Sequence, residues 1–529
     1  MPVREVLERF NRAKSLQAVA FGAGVFGLIW VLTGWILEGT TGTLVLAGLG
    51  VTVGAIILAI LSNWRSGFYM FLVWLLFEDL ARKYLGNNMA IYFGKDVLVG
   101  VTYISFFAAL RRGKVPTFRP VFLLPLGVFF WLGVLQVFNP NSPSMLYGLL
   151  GLKLYFYYVP LLFVGYALLR SEKDLHQLLV VNAGLAGIIG LLGIIQAITG
   201  PSFLNPVDLA PELSPLGHLY RTAPVSGAIL YRPTSVFVSD GRFAWYLILA
   251  WVLSFGTAGY LVLRTRRGRN IVFLSIALVS AAVLLSGSRG ALMWTLGSAC
   301  IMAAALLRGA PWRWQQGHRL VKALRRTFFL AGLGVCGLLL LFPAATGARW
   351  AFYSETLSPE NRNSELYTRT WDYPLLNISL AFAHPDWPYG YGIGTASLGA
   401  QYVSRLLGAR DPGVGVESGL GTLIVEMGIL GPILWLWWSL VLIRSGWQVV
   451  RQLKATPYYP VGFSIFWFAA LLLVALTYFS IGPYQNYVFN AYLWVLVGIL
   501  FRLPKFLEPV PLGAEAQPAG SYAIPGPLI

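Results

Sequence analysis

An all-α polytopic membrane protein of about fourteen transmembrane helices is the fold class this sequence predicts, on three observations. First, 57% of the 529 residues are apolar and only 11% are charged, against about 25% charged in a soluble globular domain. Second, apolar runs of the roughly 20 residues that a spanning helix needs recur along the whole chain. Third, the basic residues fall on alternate connections between those runs. An ordinary soluble enzyme and a disordered chain are both excluded. The length would suggest three or four soluble domains, but the composition suggests one membrane-embedded body.

The N-terminal bundle, 1–198, holds seven spans at 16–37, 43–61, 67–85, 90–110, 119–138, 146–169 and 175–198. Met1–Lys14 is polar and basic, and the run after it is long enough to span and lacks a cleavage site, so no cleavable leader is expected. A first long outer loop covers 199–241. Region 242–343 holds spans at 242–263, 270–287, 290–307 and 326–343. A large outer loop covers 344–417. Both long loops carry aromatic and turn residues and are expected to be ordered, with short helices. Region 418–503 holds spans at 418–443, 460–480 and 487–503. The tail, 504–529, is rich in Pro, Gly and Ala and reads as a disordered cytoplasmic end.

Orientation follows from charge. With both termini inside, about two thirds of the 39 basic residues fall on inside segments, among them Arg111, Arg112, Arg264, Arg266, Arg267 and Arg308. The short outside loops 38–42 and 139–145 carry none. This is the positive-inside pattern. It accounts for the formal net charge of +18 without a nucleic-acid partner, which would be the reading in a soluble protein. The 15% aromatic content suits the two membrane interfaces.

Several chemistries are excluded by residue type. Cys300 and Cys336 lie in apolar runs and make no disulfide framework. His176, His218, His318 and His384 are scattered, with no metal-ligand spacing. Gly22, Gly24 and Gly27 form a nominal GxGxxG inside an apolar run, with no preceding strand, so a dinucleotide site fails. Close helix packing explains them better, and also Gly184, Gly187, Gly190 and Gly193.

Charged residues within spans are costly and default to function or pairing. Glu78, Asp79, Lys95 and Asp96 read first as interhelical pairs. Lys153 has no acidic neighbour on its own helix turn. Arginines on outside segments run against the positive-inside bias. Arg232 precedes a span, Arg289 sits in the tight turn Ser286-Gly-Ser-Arg-Gly290, and Arg369 lies in Tyr367-Thr-Arg-Thr-Trp371. A guanidinium presents a planar fork of donors suited to phosphate oxygens. Ion pairing with Glu355, Glu360, Glu365 or Asp372, or with lipid headgroups, is the alternative. The turn Tyr389-Gly-Tyr-Gly-Ile-Gly394 follows His384-Pro385, and its glycines permit close backbone approach. Glu417 lies where the large loop meets a span. It is either a general base or a carboxylate favoured by a helix N-terminus. Glu426 lies deeper and reads as a structural hydrogen-bonding group.

In their order, Arg232-Pro-Thr-Ser-Val-Phe, Ser286-Gly-Ser-Arg-Gly-Ala291, Arg369-Thr-Trp371, His384-Pro385, Gly390-Tyr-Gly-Ile-Gly394 and Glu426-Met-Gly-Ile-Leu-Gly431 resemble the O-antigen ligase and O-antigen polymerase superfamily. These are bacterial membrane glycosyltransferases of the GT-C type. The resemblance covers roughly 230–435. It implies glycan transfer from undecaprenyl diphosphate on the outer face of the inner membrane, without metal, cofactor or nucleotide sugar. It places Arg289 and Arg369, with Arg232, on the diphosphate and Glu417 as base. Within that stretch His384, Gly392 and Gly394 are further candidates to contact donor or glycan, and Lys153, as a charge within a span, is another outside it. The implied partners are the lipid-linked donor, a glycan or lipid-linked acceptor, membrane lipids and, as a further candidate, a chain-length regulator. The ligases usually begin the helix carrying Glu-x-Gly-x-x-Gly with a His-Asn pair. Glu417-Ser418 stands at that position here, which leans toward polymerase-like members. A ligase acting on lipid A-core and a lipid-linked oligosaccharide flippase remain alternatives. The flippase reading lacks the expected half-repeat with short loops.

Overall fold

The computed structural model describes residues 41–87, 89–206, 208–209, 219–264, 267–311, 322, 325, 329, 337, 342–357, 368–408, 413 and 415–507, without the side chains of 41–49, 89, 344, 345 and 369. The expected first span (16–37, with Gly22–Gly27), most of the span 326–343, Glu360, Glu365 and the tail from 508 lie outside the described residues. The chain is overwhelmingly helical. The helices are α1 (Thr41–Ser62), α2 (Trp64–Tyr84), α3 (Met89–Arg111), α4 (Leu123–Val137), α5 (Met145–Phe156), α6 (Leu161–Leu168), α7 (Glu172–Thr199), α8 (Asp240–Arg264), α9 (Arg269–Leu285) and α10 (Arg289–Gly309). Next come α11 (Pro343–Leu357), α12 (Tyr373–Ala383), α13 (Ala400–Leu407), α14 (Gly419–Met427), α15 (Leu430–Gln452), α16 (Tyr459–Ala470), α17 (Thr477–Phe479), α18 (Gly482–Gln485) and α19 (Tyr487–Arg502).

Among the described residues, eight helical stretches are long and apolar enough to cross a membrane. The protein is therefore a multi-pass, all-α membrane protein, with one small hairpin among the described residues. Three shorter apolar helices accompany them, at Gly50–Ser62, Leu123–Val137 and Arg269–Leu285.

Two expectations are corrected. The expected span 418–443 is two helices, α14 and α15, because the chain turns at Gly428 (φ +68°). A Cβ there would lie 2.3 Å from the Pro388 carbonyl oxygen. The expected span 146–169 stands as Met145–Leu168, with a turn between α5 and α6 where Pro160 cannot donate a helical hydrogen bond. The first long loop, expected to contain short helices, carries an antiparallel hairpin in its described part. Its strands β1 (Tyr220–Thr222) and β2 (Ile229–Tyr231) pair Tyr220 with Tyr231 and Thr222 with Ile229.

The described chain forms two units: residues up to Phe71 with Asp96–Ala108, and Leu72–Lys95 with Ala109 onward. In the first, Trp64 meets Phe106 edge-on at 5.1 Å and Ser105 Oγ donates to the Leu61 carbonyl. The second holds the cores of α4–α19. Its helices join through small residues, as expected where lipid gives no hydrophobic drive for association. Cβ atoms at Gly187 and Gly190 on α7 would sit 3.5 and 3.4 Å from α9, and one at Gly193 would clash with Phe243 of α8. Gly165 and Gly498 fuse α6 to α19, since a Cβ at Gly498 would lie 2.1 Å from the Leu162 carbonyl oxygen. Gly498→Val is expected to cost at least about 1–3 kcal/mol, because the obstructing atom is backbone. Thermal unfolding in detergent is the check.

Within this unit the helix ends sort into two groups. At one, Arg349 of α11 donates to the carbonyls of Leu285, Ala197 and Tyr231, gathering the ends of α9, α7 and β2. At the other, Arg264 lies 3.0 Å from Glu172 and donates to Tyr458 Oη, and Ala455 N–H donates to the Gly309 carbonyl. The described residues around Tyr231 and Arg349 and the turn 286–290 thus share one end of the bundle.

Candidate functional site

The turn before α10 is built for close approach. Gly287 has φ +66°, and a Cβ there would meet Leu230 at 2.4 Å and Arg232 at 3.2 Å. Ser288 caps α10, its Oγ accepting from Ala291 N–H. Arg289 is therefore the first residue of a 21-residue helix, where the helix dipole adds positive potential. Its guanidinium carbon lies 5.0 Å from the Phe352 ring centre. On α14, Ser418 is the cap, and its Oγ accepts from Gly421 N–H. Glu417 immediately precedes the cap and is exposed. Its backbone N–H donates to Asn377 Oδ1 at 2.9 Å. Gly419 lets α14 press onto Thr477, whose carbonyl oxygen would be 2.0 Å from a Cβ.

These two helix starts meet at one cavity of about 490 Å³, lined by both Arg289 and Glu417. Trp245 of α8, Trp294 of α10, Tyr373 of α12 and Phe479 of α17 give it aromatic walls. Ser288, Thr370 and Ser480 add hydroxyls. Among the described lining residues, Arg289 is the one cation and Glu417 the one carboxylate. The arrangement offers a fixed positive charge for an anionic group, a proton acceptor and flat apolar surfaces for rings.

Arg369 belongs to the π-helical turn Thr368–Asp372, next to the lining residue Thr370. Its side chain lies outside the described residues. Arg232 stands beside the Gly287 turn and pairs with Asp240 at 2.6 Å. Burial holds its guanidinium below the ordinary value, Arg221 and Arg289 act in the same direction, and Asp240 opposes them. Glu355, a candidate arginine partner, instead accepts from the N–H groups of Val225 and Ser226. Hydrogen bonding to Ser226 holds its carboxyl below the usual range.

The remaining candidates do not line the cavity. Lys153 lies over the rings of Tyr92 and Phe93 at 4.8 and 4.7 Å. It adjoins a buried ionic cluster in which Glu78 pairs with Lys95 at 3.0 Å and Asp79 with Arg242 at 2.8 Å. Lys83 Nζ donates there to Thr234 Oγ1 and the Ser235 carbonyl, so Pro233-Thr-Ser235 ties the first long segment to α2. Gly392 and Gly394 are buried at φ +95° and +91°. A Cβ at Gly394 would lie 2.0 Å from the Tyr147 carbonyl oxygen and one at Gly392 2.9 Å from Ser142 Cβ, so they seat the glycine turn on α5 and the loop before it. His384 ends α12 and meets Tyr391 edge-on at 5.7 Å. Glu426 is fully buried. It accepts from Tyr155 Oη at 2.9 Å, Ser397 Oγ at 2.6 Å and Ala396 N–H, pinning the end of the glycine turn to α14.

Sequence reasoning passed over Asn377, Tyr373 and the aromatic walls. Trp294 had a signal, since Gly290, Trp294 and Gly297 share one face of α10 with Arg289 at its head. Phe479 and Ser480 had none. No group of three or more His, Cys, Asp or Glu suited to a metal ion occurs among the described residues. No protein-family model, curated protein or solved structure matches this chain.

Proposed function

We propose that this chain is a membrane glycosyltransferase that moves a glycan from an undecaprenyl-diphosphate carrier to a hydroxyl of a glycan or lipid-linked acceptor. The observation that carries the reading is the single cavity shared by Arg289 and Glu417. The acceptor oxygen attacks the anomeric carbon, its proton passes to the Glu417 carboxylate, and the bond from that carbon to the diphosphate oxygen breaks. The lipid diphosphate leaves with the electron pair, and its growing charge is met by Arg289 and the first N–H groups of α10. Arg369 is a second diphosphate ligand by its place in the turn beside Thr370. The aromatic walls hold the sugar rings. Glu417-Ser418 in place of a His-Asn pair favours polymerisation over ligation to lipid A-core.

The wider frame of the proposal is a GT-C-like body of fourteen spans in a bacterial inner membrane, with both termini cytoplasmic and the cavity facing outward. It is supported by the gathering of Tyr231 and Arg349, from the two long segments, at one end of the bundle and of Arg264 and Gly309 at the other, together with the positive-inside bias.

Purified protein in liposomes, given a lipid-linked repeat unit, is expected to extend or transfer it and release undecaprenyl diphosphate. The rate is expected to survive excess EDTA, because arginine supplies the charge that a cation would. Loss of activity with EDTA and its return with Mg²⁺ or Mn²⁺ would contradict the arginine scheme. Asn377 is expected to act as a positioning residue, through its bond to the Glu417 backbone. A displacement of about 1 Å at a reacting group costs on the order of 10²-fold. Asn377→Ala should therefore lower kcat by about that factor and leave KM for the donor nearly unchanged.

A further inference from the structure

Helix α13, Ala400–Leu407, sorts its residues into four sectors, Val403 and Leu407 forming the one between the Leu406 and Ala400 sides. Residues of a helix are separated by about 100° around its axis, so Ala400 and Ser404 share one side, Gln401 and Arg405 a second, and Tyr402 and Leu406 a third. Ala400 and Ser404 are buried, and Gln401, Arg405, Tyr402 and Leu406 are exposed. Leu406 is 78% exposed. The buried sector sits on α5, with Tyr147 Oη 2.8 Å from Ser404 Oγ. Leu150 also approaches the Gly399 that precedes α13, lying 3.6 Å from a Cβ built there.

That contact fixes the depth of α13. Tyr147 and Leu150 belong to the first turns of the candidate span Met145–Leu168, where a spanning helix enters the bilayer. Met145, Leu146 and Leu149 on those turns are exposed, as residues of a span that face lipid must be. Leu398, Tyr402 and Leu406, on the attached helix and just before it, are likewise apolar and exposed. Arg405 lies 5.8 Å from the Tyr402 ring centre, a cation and an amphipathic ring of the kinds found at headgroup level.

We propose that α13 is an interfacial helix seated in the headgroup layer, with its Ala400/Ser404 side on the protein, its Tyr402/Leu406 side in lipid and its Gln401/Arg405 side in water. The occupant of the exposed apolar sector is the phospholipid bilayer, because α13 packs on the entry turns of a span whose own exposed residues there are apolar. The inference is independent of the reaction proposed above.

Single cysteines at Leu406→Cys, Tyr402→Cys and Gln401→Cys, in the full chain carrying Cys300→Ser and Cys336→Ser, are to be labelled with bimane and reconstituted in phosphatidylcholine vesicles. Labels at 406 and 402 are expected to lose most of their emission when the acyl chains are brominated and to resist aqueous iodide. The label at 401 should do the reverse. Iodide quenching at 406 and 402 as strong as at 401 would overturn the proposal. Protection of 406 and 402 from both quenchers would overturn it too, since protein rather than lipid would then cover the sector. Using two lipid-side positions keeps the test decisive if one variant fails to fold.

Discussion

Glu417→Gln is expected to lower glycan transfer about 10²–10⁴-fold, the range for loss of a general base. Glutamine keeps the length and shape of the side chain but cannot take the acceptor proton. The contacts that start α14 should persist. The start of α14 is held by the Glu417 backbone N–H on Asn377, by Ser418 as cap and by Gly419 against Thr477, none of which uses the carboxylate. Stability should therefore change by no more than about 0.5 kcal/mol, as for a surface substitution. With an interaction of the transition state removed, kcat and kcat/KM should fall together while donor binding holds. Glu417→His is the companion variant. It restores a proton acceptor and should recover part of the rate, with a pH profile displaced toward that of imidazole, near 6.5. Transfer by Glu417→Gln at the wild-type rate would leave the carboxylate as a helix-end group and remove the base from the mechanism.

Arg289→Lys is expected to lower turnover about 10²–10³-fold, the usual loss on removing one preorganised donor to a developing anion. Lysine keeps the charge and loses the planar fork, so it cannot grip two oxygens of a diphosphate. Arg232→Lys is the internal comparison. Its guanidinium is committed to Asp240 at 2.6 Å, outside the cavity lining, so a smaller loss is expected. Equal losses in the two variants, or a near-normal rate for Arg289→Lys, would move the diphosphate away from α10. Single-turnover rates on a lipid-linked donor distinguish these outcomes.

Much of the helical frame is legible in apolar run length. The runs 175–198 and 242–263 end within three residues of Glu172–Thr199 and Asp240–Arg264, because polar or charged residues bound them sharply. The break at Gly428 is not legible, since Glu426-Met-Gly-Ile-Leu-Gly431 is apolar enough to continue a span. It takes the approach of Pro388 to make the left-handed turn necessary. The hairpin escapes notice because its three-residue strands carry no alternation worth counting. For the site, Arg289 and Glu417 stand out as charges at the edges of apolar runs, and they do share a cavity. Lys153, His384, Gly392 and Gly394 stand out by residue type alone, and tertiary packing places them elsewhere. The aromatic walls come from four distant parts of the chain, and with aromatic residues this abundant nothing distinguishes Trp245 or Phe479 from the rest.

The central claim is that the cavity between α10 and α14 is where a diphosphate-linked glycan reacts. It is tested most directly by cryo-electron microscopy of the protein in nanodiscs with a non-hydrolysable undecaprenyl-diphosphate glycan analogue. The account predicts density for the diphosphate against Arg289 and the α10 N-terminus, with the first sugar between the aromatic walls and its anomeric carbon facing Glu417. Diphosphate density at Lys153 and the Glu78–Lys95 cluster, with the cavity empty, would contradict it.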